Sequence, residues 1–273
     1  MCDICVTNAV KERMLSRRDF FKTTAAVGAA ATVGGMMAAP AAMAAGHGGV
    51  VDMTHAFDED FPTYFGAPGL SRKQVFNFAE HGFNLLELTV NEHTGTHIDA
   101  PLHFSADGQS VDELTVSQLV VPLCVVDIAA RAAQDADAQV TPDDLRAWIA
   151  ANGDIPEGAC VAMHSGWAAK VATPGYRNVG ADAAMHFPGF HVEAAQFLIE
   201  ETGAGAIAVD TLSLDHGPSP DFAAHYAWLP SGRYGIECLA GLDQVPAAGA
   251  TLVVGAPTHR GGTGGPARIF AMV

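Results

Sequence analysis

The sequence predicts a single mixed α/β domain, and three observations support this prediction. The chain has 273 residues, of which 49% are hydrophobic, and this is enough to bury one sizeable core. Short apolar runs such as PLCVVDIAA and AGAIAVDTLSLD have the length and composition of buried strands. Segments with helical periodicity separate several of these runs, which is typical of a sheet whose strands are connected by helices.

The clearest helix is predicted in the segment TPDDLRAWIAANG. Thr141 is its expected N-cap, and Gly153 is expected to end it. Leu145, Trp148 and Ile149 follow the spacing i, i+3, i+4 and form an apolar stripe. We expect this stripe to pack on the sheet.

The charge of the chain excludes two classes of partner. Acidic residues outnumber basic ones by 30 to 14, which gives a formal net charge of −16. Such a surface repels nucleic acid and anionic lipid. A small-molecule substrate held in a pocket is compatible with this charge.

Residues 1–45 are predicted to form a twin-arginine export signal. The segment SRRDFFK carries the arginine pair, an Ala- and Gly-rich apolar run follows it, and the sequence AMA is a small-residue cleavage cue. The apolar run is too weak for a stable membrane anchor. The alternatives are an N-terminal anchor or a disordered tail. The signal predicts that the twin-arginine export machinery delivers a folded domain, residues 46–273, to the periplasm.

The cysteines of the predicted mature domain do not suit a disulfide framework. Cys2 and Cys5 fall in the export signal, and Cys124, Cys160 and Cys238 remain. An odd number cannot be fully paired. Cys124 and Cys160 lie in strand-like runs and are predicted to be small buried hydrophobic residues.

The segment NEHTGTHIDAPLHFS holds four side chains that can bind metal or carry protons. His93, His97, Asp99 and His103 all occupy odd positions, so in an extended strand they would share one face. A helix is opposed by the TGT sequence and the following proline. Imidazole and carboxylate together suit Zn²⁺, Mn²⁺ or Fe²⁺, and three such ligands with open positions indicate a catalytic site. The alternative is a surface strand with chance histidines.

The pattern H-x-G-T-H-x-D-x-P-x-H-F resembles the signature of the metal-dependent cyclase-family hydrolases, the family of bacterial kynurenine formamidases and isatin hydrolases. The segments VDMTHAFDEDFPTYFG, HSGW and VDTLSLD also match this family in order. The resemblance implies a β-barrel-like sheet with flanking helices, a swivelling β/β/α fold. It also implies assembly as a homodimer or homotetramer.

The resemblance assigns roles to the four side chains of this segment. His93, His97 and Asp99 would bind the metal, and His103 would be the general acid/base. In the formamidase branch of the family, the shared aspartate and a later His and Glu hold a second metal. His225 and Glu237 have the corresponding spacing here.

These later positions also depart from the family pattern. Cys238 stands where the family usually has glycine after the glutamate. Taken alone, Glu237 could be a surface carboxylate and His225 a capping or core residue. The cofactor is therefore predicted as one or two divalent ions, Zn²⁺ or Mn²⁺.

Two aromatic residues are candidates for substrate binding. Tyr64 aligns with an aromatic residue that contacts substrate in formamidases, although Phe65 replaces the proline that usually follows. Trp167 follows the HSG turn and lines the pocket or packs in the core. Three polar residues after a buried strand would orient metal ligands or cap the strand: Asp210, Ser213 and Asp215.

The predicted function is hydrolysis of an amide-type C–N bond, in a cyclic amide or an N-formyl aryl amine, by metal-activated water. Export argues against a role in tryptophan breakdown, which takes place in the cytoplasm. The alternatives are a lactone or ester hydrolase or a cyclase of the same family. A non-catalytic periplasmic metal-binding protein is the alternative from another class.

Overall fold

The computed structural model describes residues 49–273, so the predicted export signal lies outside the described residues. Within this range the chain divides into two compact units, Arg72–Thr89 and the remainder, residues 49–71 with 90–273. The strands in chain order are β1 (Val50–Asp52), β2 (Leu70–Phe76), β3 (Leu85–Val90), β4 (His97–Asp99), β5 (Val120–Asp127), β6 (Gln139–Val140), β7 (Cys160–His164), β8 (Gly189–Phe190), β9 (Ala206–Val209), β10 (Tyr234–Glu237), β11 (Ala250–Gly255), β12 (Gly264–Pro266) and β13 (Arg268–Met272).

The helices are short apart from two. In chain order they are α1 (Phe78–His81), α2 (Val116–Leu119), α3 (Ala129–Ala132), α4 (Pro142–Asn152), α5 (Val192–Glu201) and α6 (Ala223–Trp228). Short 3₁₀ turns cover Pro101–Phe104, Val111–Glu113, Trp167–Lys170, Leu229–Ser231 and Leu242–Gln244.

The smaller unit is a hairpin built from most of β2 and β3, which form a two-stranded sheet with α1 between them. Asn77 caps α1 by accepting a hydrogen bond from the backbone N–H of Glu80. Gly82 ends the helix in the left-handed conformation, at φ +79°. The sequence did not predict a separate unit here.

The larger unit is built on a nine-stranded sheet in the order β1-β13-β11-β5-β7-β9-β10-β4-β12. The four central strands β5, β7, β9 and β10 run parallel to their neighbours within this group. The pairs formed by β1, β13, β11, β4 and β12 are antiparallel. This arrangement confirms the predicted mixed α/β fold.

Alternate residues of the central strands belong to two apolar clusters, one on each face of the sheet. On β5, Cys124 and Val126 belong to one cluster, whereas Leu123 and Val125 belong to the other. The first cluster includes buried residues of α4 and α5, which cover that face of the sheet. Cys124 is buried with a free thiol, as predicted, and burial raises its pKa to about 11.

The second cluster lies on the other face of the sheet and includes residues from near both ends of the strand order. Met53, just after β1, and Ile98, on β4, both belong to it. An isolated antiparallel bridge between Thr54 and Leu239 links the segments that follow β1 and β10. The sheet therefore curls around this cluster, which confirms the predicted barrel-like sheet.

Helix α4 forms as its sequence signals predict. The Thr141 hydroxyl accepts a hydrogen bond from the Asp144 backbone N–H, and Gly153 ends the helix at φ +93°. Leu145 and Trp148 are buried against the sheet. The segment 110–119 forms a 3₁₀ turn followed by the short helix α2.

Candidate metal centre

Two neighbouring strands bring three donor side chains together. His97 and Asp99 share a face of β4 because side chains two apart on a strand project the same way. Their side chains are 4% and 1% exposed. Glu237 on β10 pairs with His97 in the strand register, and its Oε2 lies 3.3 Å from His97 Nε2.

The continuous strand predicted through this segment is wrong. β3 ends before residue 91, residues 91–96 form a bend, and β4 has three residues. Gly95 takes a left-handed conformation, at φ +66°, which lets the chain turn there. His93 therefore lies within the bend, and His103 lies in the 3₁₀ turn Pro101–Phe104. Strand alternation explains only the central pair, and the two flanking histidines reach the site by turns.

His93 and His97 are each fixed by a hydrogen bond from one ring nitrogen. His97 Nδ1 lies 2.9 Å from the carbonyl oxygen of Gly95, so its Nε2 faces Asp99 Oδ1 at 3.3 Å. His93 Nε2 lies 3.0 Å from the hydroxyl of Thr263, and its Nδ1 lies 2.7 Å from Asp99 Oδ1. Both rings thus present their other nitrogen to the same buried carboxylate.

His103 differs from the other imidazoles of the site. Its ring stacks on that of His93, with ring centroids 3.8 Å apart and planes 21° apart. Its ring makes no hydrogen bond to the described residues, unlike the rings of His93, His97 and His225. Burial lowers the pKa of His103 to about 4, so the ring is neutral at pH 7. A neutral and unrestrained imidazole can accept a proton.

The fourth imidazole comes from α6 and is oriented by a buried carboxylate. Asp215 Oδ2 lies 2.6 Å from His225 Nδ1 and also accepts a hydrogen bond from the His225 backbone N–H. The other ring nitrogen lies 3.2 Å from Glu237 Oε1 and 3.7 Å from Asp99 Oδ2. Asp215 therefore orients a donor, as predicted for one of the polar residues after β9.

The donor atoms fall into two groups that share one carboxylate. In one group, ligand atoms of His93, Asp99 and His103 all lie within 4.8 Å of one another, and in the other, those of His97, Asp99 and Glu237 do. This grouping differs from the one implied by the family resemblance, which places both β4 residues with His93. His225 lies beside the second group.

The residues present fit a divalent cation. His97 Nε2 and Asp99 Oδ2 are buried, and neither makes a hydrogen bond to the described residues. Burial lowers the pKa of His97, but Asp99 and Glu237 outweigh it and hold this pKa well above the ordinary value. The site therefore demands positive charge, because buried carboxylates are costly without it. Imidazole and carboxylate donors suit a divalent cation of the first transition row.

The donors open onto a cavity of about 380 Å³ with aromatic walls. Tyr64 lines it, as predicted, with its ring 5.3 Å from that of Phe65 and 5.6 Å from that of Phe222. Phe104 also lines it. The described residues that line the cavity include neither lysine nor arginine. Its aromatic walls suit an aromatic molecule.

Trp167 packs in the core instead of lining this cavity. It is 1% exposed, clusters with Tyr176 and Phe187, and donates its indole N–H to the Tyr176 carbonyl oxygen. Asp210 is held by hydrogen bonds from the backbone N–H groups of Ser165 and Trp167, away from the donors. Of the two alternatives for Trp167, the structure supports the core role.

The structure places two further residues, Ser213 and Phe222, at the cavity. Ser213 is 2% exposed, lines the cavity, and its hydroxyl has no hydrogen-bonding partner among the described residues. Phe222 takes a left-handed conformation, at φ +53°, immediately before α6 and forms a wall. The sequence placed Ser213 among polar residues after a strand, but nothing in it indicated Phe222.

Comparisons with known proteins show the family of this chain. Residues 51–216 match the family described as "Putative cyclase". The isatin hydrolase of Roseibium aggregatum is 32% identical over 194 residues, which cover 68% of this chain and 73% of that protein. The kynurenine formamidase of Salinibacter ruber is 30% identical over 192 residues, which cover 70% of this chain and 81% of that protein.

A solved structure shares the fold. Isatin hydrolase A from Labrenzia aggregata, bound to benzyl benzoate, superposes with a TM-score of 0.77 at 36% identity and covers 82% of this chain and 93% of that one. The comparisons thus place the chain among hydrolases of amide-type C–N bonds other than peptide bonds. The chain belongs to the cyclase family.

The N-terminal segment has its own match. Residues 14–34 match the twin-arginine translocation signal, which implies export across the cytoplasmic membrane by that machinery. These residues lie outside those that the structure describes. Within residues 49–273, no helix combines the length and the apolar character needed to cross a bilayer.

Proposed function

We propose that the protein opens a neutral aromatic cyclic amide, of the isatin class, by hydrolysis at a divalent-metal site. One observation carries this proposal: a buried cluster of imidazoles and carboxylates opens onto an aromatic cavity whose lining includes neither lysine nor arginine. An N-formyl aromatic amino acid would bring a charged carboxylate into this cavity, where neither a lysine nor an arginine among the described lining residues would pair with it. The relative named isatin hydrolase supports the same choice.

The residues proposed to hold the metal are His93, His97 and Asp99, as the family resemblance implies. His225 and Glu237, with Asp99 shared, are the proposed ligands of a second ion. The two donor groups that meet at Asp99 support a site for one or two ions, Zn²⁺ or Mn²⁺. When bound, the cation would lower the pKa of water from ~15.7 towards ~7 and polarise the scissile carbonyl group.

His103 is the proposed carrier of the proton. Its neutral ring accepts a proton as water attacks the carbonyl carbon and the new C–O bond forms. It then gives this proton to the amide nitrogen as the C–N bond breaks. In a cyclic amide both new groups remain on one product, an aromatic amine with a carboxylate.

Two further residues are proposed to position the substrate. The Ser213 hydroxyl is buried, unpaired among the described residues and at the cavity, so it can hydrogen-bond a polar atom of the substrate. Burial, with the charges of Asp215 and Glu237, raises the pKa of Tyr64. Its hydroxyl therefore stays protonated and can donate a hydrogen bond.

The wider organisation of the protein is part of the proposal. Residues 1–45 form the export signal, residues 46–273 form the hydrolase domain, and the periplasm is the destination. The match to a twin-arginine signal supports this division. A homodimer or homotetramer is proposed from the family resemblance alone.

A substrate panel tests the proposal. Isatin, a neutral N-formyl aryl amine, an anionic N-formyl aromatic amino acid and an aromatic lactone would be assayed with Mn²⁺ and with Zn²⁺, and with chelator as control. We expect the highest kcat/KM on isatin and no turnover with chelator. A preference for the anionic compound would contradict the proposed substrate class. Tight metal binding without turnover of any compound would favour the metal-binding alternative.

A further inference from the structure

A chain of hydrogen bonds runs from His93 away from the cavity to the protein surface. Thr263 Oγ1 lies 3.0 Å from His93 Nε2 and 2.5 Å from Glu92 Oε2. Glu92 Oε1 in turn lies 2.5 Å from His259 Nε2. The side chains of His93, Glu92 and His259 are 23%, 33% and 48% exposed. The chain thus connects the candidate metal centre to a half-exposed histidine that the proposed function leaves without a role.

The chemistry of these groups sets the direction of each hydrogen bond. An ionised carboxylate can only accept, so the Thr263 hydroxyl donates its hydrogen to Glu92. The hydroxyl oxygen then accepts from His93 Nε2–H. With its single hydrogen on Nε2, a neutral His93 presents the lone pair of Nδ1 to Asp99 Oδ1, 2.7 Å away.

Glu92 also restrains Thr263 by binding the backbone N–H of Thr263. The backbone N–H of Thr263 donates to Glu92 Oε1 at 3.1 Å. The carbonyl oxygen of Thr263 accepts from the backbone N–H of Ala100, directly after β4. Thr263 is therefore tied to the site strand and to the carboxylate at the same time.

The glycines on either side of Thr263 permit this close approach. Gly264 pairs with Asp99 in the strand register, and a β-carbon on it would collide with the Ile98 carbonyl and the His93 ring. A β-carbon on Gly262 would collide with the His259 ring and with Glu92. The two glycines therefore allow the Thr263 hydroxyl to lie within hydrogen-bonding distance of His93.

We propose that Thr263, held by Glu92 and His259, is a positioning residue that fixes the ring orientation and the tautomer of His93 towards the metal. This inference rests on the proposed role of His93 as a ligand. Hydrogen-bonding partners behind a histidine ligand raise metal affinity or activity by ~10–100-fold.

The test compares Thr263→Val, which keeps the shape and removes the hydroxyl, with Thr263→Ser, which restores the hydroxyl. Thr202→Val is the matched control, because Thr202 also makes side-chain hydrogen bonds but lies at the end of α5, outside the site. The Zn²⁺ dissociation constant would be measured by chelator competition, together with kcat on isatin. Histidine ¹⁵N NMR spectra of the Zn²⁺-loaded protein would report the tautomer of His93.

We expect Thr263→Val to weaken Zn²⁺ binding by ~10–100-fold and to lose the Nε2–H signal of His93. The serine variant should recover both, and Thr202→Val should match the wild type. If Thr263→Val does not fold, Glu92→Gln serves as the second variant, with a smaller loss of affinity expected. A Thr263→Val protein with wild-type affinity and tautomer would overturn the inference, as would a serine variant as impaired as the valine variant. A wild-type protein that binds no divalent metal would instead refute the proposed function itself.

Discussion

The substitution His103→Ala distinguishes between two roles for His103, that of a proton carrier and that of a metal ligand. The structure makes this test sharp because His103 lies in one donor group with His93 and Asp99, yet its ring makes no hydrogen bond to the described residues. If the ring only carries a proton, its loss should reduce kcat by ~10²–10⁴-fold. At ~1.36 kcal/mol per tenfold change, this corresponds to ~2.7–5.5 kcal/mol of activation free energy. The metal content should stay at the wild-type level.

The His103→Ala substitution should also lower the stability of the protein slightly. Removing the ring leaves no described partner unpaired, so the loss comes from its ring contacts with His93 and Phe104. Such contacts contribute about 0.5–1.5 kcal/mol each. We therefore expect the free energy of unfolding to fall by about 1–3 kcal/mol, which leaves the protein folded.

The assay combines turnover of isatin, followed by absorbance, with metal analysis of the purified variant by mass spectrometry. Added imidazole should restore part of the activity of His103→Ala by supplying the missing base. His191→Ala is the control, since His191 caps α5 away from the site. His97→Ala should lose the metal. Loss of metal from His103→Ala to the same degree would show that His103 is a ligand and would refute the reasoning.

Four further predictions follow from the site and the core. Burial lowers the pKa of His103 to about 4. Activity should therefore persist as the pH falls through 6.5 and decline only near or below pH 5. A pH profile of kcat with its acid limb near 6.5 would contradict this prediction. Asp215→Asn should reduce metal affinity by ~10–100-fold because a neutral amide replaces the ionised acceptor at His225 Nδ1, as chelator competition would reveal. Zn²⁺ or Mn²⁺ at about 100 times its dissociation constant should stabilise the chelator-treated protein by ~2.7 kcal/mol, measured in thermal melts; an unchanged Tm would oppose the assignment. Trp148→Phe should lower the free energy of unfolding in urea by about 1–3 kcal/mol because the Val125 carbonyl oxygen loses its indole donor.

Local sequence signals predicted the elements whose shape depends on nearby residues. The cap at Thr141 and the stop at Gly153 act within one helical turn, so α4 forms as expected. The barrel-like sheet came from the family resemblance, since strand order depends on pairings between distant segments. The strand through His93 and His103 was wrong because Gly95 reverses the chain, and strand alternation cannot anticipate a turn of this kind.

The missed parts of the site depend on long-range contacts. Thr263 and Glu92 are 171 positions apart in the chain, and no local pattern predicts their hydrogen bond. Ser213 matters because its hydroxyl is buried beside the cavity without a described partner, which only the fold determines. Donor types could thus be identified from the motif, and Asp215 from its place after a buried strand, whereas Thr263 and Glu92 could not.

In the proposed site, helix α6 would link substrate choice to metal retention. Phe222, a wall of the cavity, directly precedes this helix of six residues, which carries His225. A phenylalanine in the left-handed conformation costs about 1–2 kcal/mol, which the surrounding structure must offset. Mutations that remodel this wall for a larger substrate would therefore also disturb a donor three residues away. Evolution of new specificity in this protein should proceed more readily through the loop around Tyr64, which carries none of the metal donors.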